Sequence, residues 1–323
     1  ISACTILSLI TFGGFIIAAD KPLARAHAHN DYYHKRPLLD ALASGFCSVE
    51  ADVFLKDDTL LVGHFRFELR KARSLEALYL KPLAARVKAN GGSVYKTKAP
   101  FHLMIDFKAD GTATYAALKK LLAKYRFMLT EFTADSTKTG AVTIVISGSR
   151  PRQVMEKESK RLAGYDGRVS DLNKETSRHF MPWISDSWSS QFKWRGKGNL
   201  PENEKAKLKN IVKRAHQNGQ KVRFWAAPDN PRAWAVLNEN GVDLINAQDC
   251  FKRFPGLIII LGTAQRISGC MDMTRVNANA DAVRVLDLVE HGSQLFKLPA
   301  QIGSLASSSL QQYAALQVGC LPV

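Results

Sequence analysis

Glu50 and Asp52 stand two residues apart in the run SVEADVFL, so on a strand both carboxylates point to one face. Two acids on the interior face of a buried strand need compensation. A divalent cation is the simplest compensator, and an all-oxygen donor set favours Mg²⁺, Ca²⁺ or Mn²⁺ over zinc. Asp106, near the end of the next strand-like run, FHLMIDF, supplies a third carboxylate. The competing reading pairs these acids with Lys108 or Arg150 in salt bridges. His29 and His64 each close a strand-like run beside the acids, and histidine is the side chain best placed to exchange protons near neutral pH. Two of them flanking a metal form an acid–base pair. His27 alternates with His29 and could share its face. His34, His102, His179 and His216 lack comparable company and read as structural or surface residues.

The elements that must hold these groups follow from hydrophobic patterning. Strands are expected at Leu23–Ala28, Ser48–Phe54, Phe101–Phe107, Val142–Ser147, Arg168–Asp171, Pro182–Ser185, Lys221–Ala226 and Asp243–Ala247. Helix-period stretches lie between most of them: Pro37–Ser44, Ser74–Ala89, Thr112–Tyr125, Pro151–Arg161, Pro201–Asn218 and Pro231–Asn238. Several open on Pro and close at Gly or Asn, as with Pro201 and Gly219. Eight strands alternating with helices predict an α/β fold, a (β/α)₈ TIM barrel, with its active site at the strand C-terminal ends. His29, Glu50, Asp52, Asp106, Lys108, Arg150, Arg223, Trp225, Asn246 and Asp249 all stand at or near such ends. No G-x-G-x-x-G follows the first strand, which argues against a dinucleotide fold.

At 323 residues, with 46% hydrophobic and 23% charged, the chain is neither disordered nor a disulfide-dense miniprotein. Its +16 charge lies entirely in 23–253, because each end holds equal numbers of acids and bases. A basic body suggests anionic partners, although a lysine-rich soluble surface would read the same way. The apolar, uncharged run TILSLITFGGFIIAA fits the core of a secretory signal over residues 1–19, truncated at its start, so a secreted or periplasmic protein is expected. The barrel then occupies 20–253, followed by a Ser/Ala/Gln-rich tail of unassigned role at 254–323. Five cysteines with no C-x-x-C form neither a disulfide framework nor a zinc site, and Cys47, in an apolar run, reads as a core thiol.

The ordered set His29-Asn30, Glu50-x-Asp52, His64, Asp106-x-Lys108 resembles the PLC-like and glycerophosphodiester phosphodiesterase superfamily. Within it, HAHNDYYHKRPLLDAL, LLVGH, MPWISDSW, KVRFWAAPDNPRAW and GVDLINAQD resemble the branch of the altered inheritance of mitochondria protein 6. The spacing is also similar to that of venom sphingomyelinase D enzymes. The resemblance covers 23–253. It implies a PLC-like phosphodiesterase on a TIM barrel with metal ligands Glu50, Asp52 and Asp106, catalytic histidines His29 and His64, a phosphate-binding Lys108 and a substrate-side Trp225. Two departures concern the substrate: Asn30 stands where the common glycerophosphodiesterase form has Arg, and Asp106 where it has Glu. Arg150 or Arg223 is expected to replace the missing phosphate contact.

The expected function is therefore a metal-dependent phosphoric diester hydrolase acting on a glycerophosphodiester or phospholipid-like substrate, with Mg²⁺ or Ca²⁺ as cofactor. The expected partner is a small phosphodiester or phospholipid head group, with peripheral membrane contact and no nucleic acid. One rival is a metal-dependent amidohydrolase, since His27-x-His29 mimics the first ligand pair of that barrel class; His179 and Asp249 could add ligands, but the set stays incomplete and Glu50-x-Asp52 goes unexplained. Another is a catalytically silent barrel that binds anionic lipid through Lys193–Lys213 with Trp188 and Trp194.

Overall fold

The computed structural model of the chain describes residues 22–174 and 176–247; the apolar run 1–19, Asp249 and the tail 254–323 lie outside them. Eight parallel strands form the frame: β1 (Leu23–Ala28), β2 (Phe46–Lys56), β3 (Phe101–Phe107), β4 (Val142–Gly148), β5 (Gly164–Gly167), β6 (Trp183–Ser187), β7 (Lys221–Trp225) and β8 (Ile245–Ala247). They pair in the order β7-β6-β5-β4-β3-β2-β1-β8. A parallel bridge between Arg223 and Leu244 then joins the two ends of that path, so the sheet closes into a (β/α)₈ barrel. Helices Lys81–Ala89, Gly111–Ala123, Arg152–Glu156, Glu202–Gln217 and Pro231–Glu239 return the chain between strands. Two begin on polar caps: Asp110 accepts from Ala113 N at 3.1 Å and Asn230 from Ala233 N at 3.0 Å.

The strand residues divide by period 2. Val49, Ala51, Val53, Leu103, Ile105, Ile144 and Ile146 are buried in the main cluster against the helices. The alternate residues Met104, Val145, Trp183 and Leu244 form a separate apolar plug inside the barrel. Cys47 is buried with its thiol pushed up to about 12, as befits a core group.

β5 departs from the sequence expectation. The strand is Gly164–Gly167, not Arg168–Asp171, and Val169–Asn173 is a 3₁₀ turn. Gly-Tyr-Asp-Gly carries no apolar alternation, because packing rather than side-chain pattern selects it. A Cβ on Gly167 would come within 2.1 Å of Met181 Sδ, so the chain leading into β6 crosses where only glycine fits.

The plug also buries two histidines. His27 and His102 flank Trp183, with ring centroids 6.1 and 5.3 Å away. Burial, aided by Arg223 for His27 and by Lys221 for His102, pushes each down to about 3 from an ordinary 6.5. A folded-state value below the unfolded one means that the unfolded chain binds protons the barrel refuses. Stability therefore falls as pH drops from 6.5 toward 3. His102 Nδ1 is buried with no hydrogen-bond partner. Urea midpoints measured across this range should decline with acidification, and His102→Leu should flatten the decline; an unchanged slope would assign the effect to other groups.

Candidate active site

β2 runs beyond the barrel rim and folds back through a tight turn at Asp57 and Asp58, both left-handed (φ 48° and 58°), into the antiparallel strand Thr59–Val62. Val53 pairs with Val62, which returns Gly63 N to Asp52 O at 3.1 Å. That hairpin brings His64 over the end of β2. His64 Nδ1 lies 2.7 Å from Asp52 Oδ2. On the other side, His29, one residue past β1, places Nδ1 2.6 Å from Glu50 Oε2. Each Nδ1 is turned to a carboxylate, with Arg223 Nη2 also 3.1 Å from His29 Nδ1 and the Tyr32 hydroxyl 3.3 Å from His64 Nδ1, so each ring presents Nε2 to the site. Neither Nε2 has a hydrogen-bond partner among the described residues.

The acids lie in register. Asp52 is opposite Asp106 on β3, which is opposite Ser147 on β4. Lys108 Nζ sits between the first two, 2.7 Å from Asp52 Oδ2 and 3.2 Å from Asp106 Oδ1. Burial works against the ammonium, but Asp106 and Asp52 outweigh it and raise the Lys108 pKa. Burial also pushes Asp106 up to about 6; Lys108 opposes the rise while Glu50 and Asp52 add to it. The Asp106 rim is closed by Gly148, at φ 71°, where a Cβ would stand 2.6 Å from Asp106 Oδ1. Glu50 has a different counterion. Arg223 Nη2 donates to Glu50 Oε2 at 2.6 Å, and Arg223 Nε donates to Asn246 Oδ1 at 3.0 Å. Burial opposes ionisation of Glu50, but Arg223 and His29 prevail and hold the carboxyl well below its ordinary range.

Three carboxylate oxygens, one each from Glu50, Asp52 and Asp106, lie within 4.8 Å of one another. Asp52 Oδ1 is buried and without a hydrogen-bond partner, which leaves a negative lone-pair direction uncompensated. These donors fit a hard divalent cation. The salt-bridge reading is present beside it, since Lys108 already shares Asp52 and Asp106. His27, His29 and Glu50 also approach one another within 4.8 Å. His27, however, is fully buried, with Nδ1 2.7 Å from Ser48 Oγ and Nε2 3.4 Å from Glu50.

Of the nine candidates, the structure brings together His29, Glu50, Asp52, His64, Asp106, Lys108 and Arg223. Arg223 serves as the counterion of Glu50, 2% exposed, rather than as an open phosphate contact. Arg150, past the end of β4, and Trp225, at the end of β7, take other partners. Arg150 Nη1 donates to the Asp166 carbonyl at 2.6 Å with its guanidinium over Tyr165, and the Arg168 guanidinium stands 4.8 Å above the half-buried Trp225 ring. His179 bonds Thr137, ahead of β6, at the opposite end of the strands from the site. Trp188 and Trp194, the aromatics of the lysine-rich segment, are buried in the core.

Sequence reasoning missed three residues. Tyr32 donates to Asp52 Oδ2 at 2.7 Å and stands 2.7 Å from the Asn30 side chain. Its position three residues after His29 was the available signal. Glu68 accepts from His64 N at 2.7 Å and holds the histidine loop. Asp166, wholly buried, accepts from Ser147 and Ser185 at 2.8 and 2.5 Å and pairs with Arg168 at 2.9 Å; the misplaced strand concealed it.

An AIM6-like phosphodiesterase domain matches residues 17–166. The chain is 32% identical over 263 residues to altered inheritance of mitochondria protein 6 of Eremothecium gossypii, covering 70% of this chain and 68% of the relative. It is 30% identical over 253 residues to the homolog from Arthroderma benhamiae, covering 69% of this chain and 80% of that protein. Among solved structures, a calcium-dependent phosphoinositol-specific phospholipase C from a Gram-negative Pseudomonas species aligns with a TM-score of 0.50 at 13% identity, covering 73% of this chain and 93% of that one, a likeness of fold. At 30% identity or more over at least two thirds of these two relatives' length, the chain belongs to the altered inheritance of mitochondria protein 6 family.

Proposed function

We propose that the protein is a metal-dependent phosphoric diester hydrolase acting on a glycerophosphodiester or phospholipid-like substrate by paired histidine acid–base catalysis. The observation that carries this reading is the pair of Nδ1–carboxylate contacts, His29 to Glu50 at 2.6 Å and His64 to Asp52 at 2.7 Å. They fix both rings on either side of one acidic centre. One Nε2 takes a proton from the attacking hydroxyl or water, and the other returns a proton to the departing alkoxide. Lys108 adds a fixed positive charge beside the non-bridging oxygens. Tyr32 and Lys108 hold Asp52, and Arg223 holds Glu50, so neither orienting carboxylate needs to move during the reaction. A divalent cation, Mg²⁺ or Ca²⁺, held by Glu50, Asp52 and Asp106 would supply the remaining charge on the attacked phosphate.

The test is a panel of phosphodiesters (glycerophosphocholine, glycerophosphoinositol, lysophospholipids and an aryl phosphodiester) assayed with and without EDTA. Turnover abolished by chelator supports the reading, and zinc-dependent amide hydrolysis would replace it with the amidohydrolase. Metal binding has a readout independent of turnover. Thermal melts should rise with Ca²⁺ or Mg²⁺ in the wild type and respond far less in Asp52→Asn, which removes a ligand charge. Equal shifts in both proteins would place the cation elsewhere.

A further inference from the structure

Tyr33, Phe65 and Phe67 are among the few large apolar side chains left in solvent by the described residues, at 56%, 50% and 74% exposure. All three lie on the rim at the strand C-terminal ends. Phe65 and Phe67 stack, with centroids 5.3 Å apart and planes 9° apart. Phe65 also packs edge-on against His64 at 4.5 Å. Glu68 ties the group together: it accepts from His64 N and Phe65 N at 2.7 and 3.1 Å and from the Tyr33 hydroxyl at 3.0 Å. The aromatic tip is therefore held in place while its rings face water, an arrangement that costs solvation unless something covers it.

Charge and size narrow what does. Residues 64–73 (HFRFELRKAR) carry Arg66, Arg70, Lys71 and Arg73 against the single acid Glu68, and Lys35 and Arg36 follow Tyr33. The three rings offer roughly 300–400 Å² of apolar surface at their stated exposures. That is well short of the ~800 Å² per partner of a stable protein interface. Aromatic rings set among arginine and lysine match the boundary of an anionic bilayer, where rings enter the acyl region and cations meet head groups. No helix of the described residues is long and apolar enough to cross a membrane.

We infer that the Phe65–Phe67 tip, with Tyr33 and its basic flank, is a docking element that seats the barrel rim on an anionic lipid surface and presents head groups to His64. The inference rests on the phosphodiesterase reading only for what is presented. The docking itself is tested without turnover.

Sucrose-loaded phosphatidylcholine vesicles, with and without phosphatidylglycerol, are sedimented with the full chain at low salt. Wild type should pellet with the anionic vesicles and be released by salt, and Phe67→Ser should bind at least about tenfold more weakly. Phe127→Ser is the control: Phe127 is 58% exposed but lies between the helix Gly111–Ala123 and the start of β4, at the other end of the barrel. It should bind as wild type does. Phe67→Trp should show a blue-shifted emission increment on adding vesicles. Hydrolysis of a soluble aryl phosphodiester, unchanged in Phe67→Ser, reports on the catalytic reading separately. Equal vesicle binding by wild type and Phe67→Ser overturns the proposal. So does wild type that ignores anionic vesicles, which would leave the tip to an acidic protein partner.

Discussion

Alanine at His29 or at His64 should lower kcat by about 10² to 10⁴, the usual size of a lost general acid or base. Both side chains are partly solvated, 18% and 39% exposed, so neither fills the core and the circular dichroism melt should stay near wild type. Under the proposed mechanism the double variant should lose less than the product of the two effects, because acid and base would serve one transition state. An aryl phosphodiester, whose leaving group needs little protonation, should restore the variant lacking the acid and not the one lacking the base. That contrast assigns the two roles. His27→Ala is the control with a different signature. Its ring is buried against Ser48 and Glu50, so its loss should appear in the melting temperature more than in kcat. A kcat loss at His27 equal to that at His29, with zinc bound, would favour the amidohydrolase arrangement.

The second large effect is on stability. Arg223→Met leaves Glu50 buried without its guanidinium, and removing one partner of a buried ion pair costs about 3–5 kcal/mol. Urea unfolding in the presence of chelator should register it at neutral pH. The pH dependence gives a sign to check. In the wild type the folded Glu50 carboxyl lies below its ordinary 4.5, so its stabilisation is full above that value and is lost only as pH falls through the lowered one. Without Arg223 the largest influence opposing burial is gone, so the folded value should rise and the stabilising contribution shrink. The gap between wild type and variant should therefore narrow as pH falls. A gap that stays constant would mean that the carboxylate is held by other groups. Arg223→Met combined with Glu50→Leu should recover much of the loss, since the orphaned charge is gone.

Much of the site was legible because its parts repeat with short, rigid periods. Glu50 and Asp52 share a face by strand geometry alone, and a polar residue just past an apolar run, as at His29, Asp106 or Lys108, lands on the rim of any parallel barrel. The barrel itself followed from counting alternations, and β1 and β3 fall where patterning put them. The hairpin behind His64 could be read only as a segment, since Asp57 and Asp58 turn the chain without glycine.

What the sequence by itself determined was thus which residues reach the rim. Tertiary structure decided how they pair. Glu50 takes Arg223, 173 residues away, because β7 meets β8 and closes the barrel on β1; no local spacing encodes that contact. The same closure converts an arginine expected to greet phosphate into a buried counterion. Gly164–Gly167 was invisible as a strand because its glycines answer to Met181 and Pro182 rather than to a hydrophobic period, and Asp166 was hidden with it. Trp188 and Trp194 look like a lipid patch beside a lysine-rich run, yet they fill the core, while Phe65 and Phe67 stay in water. An aromatic residue's side of the surface depends on what the rest of the chain packs against it, and that is a property of contacts between distant segments.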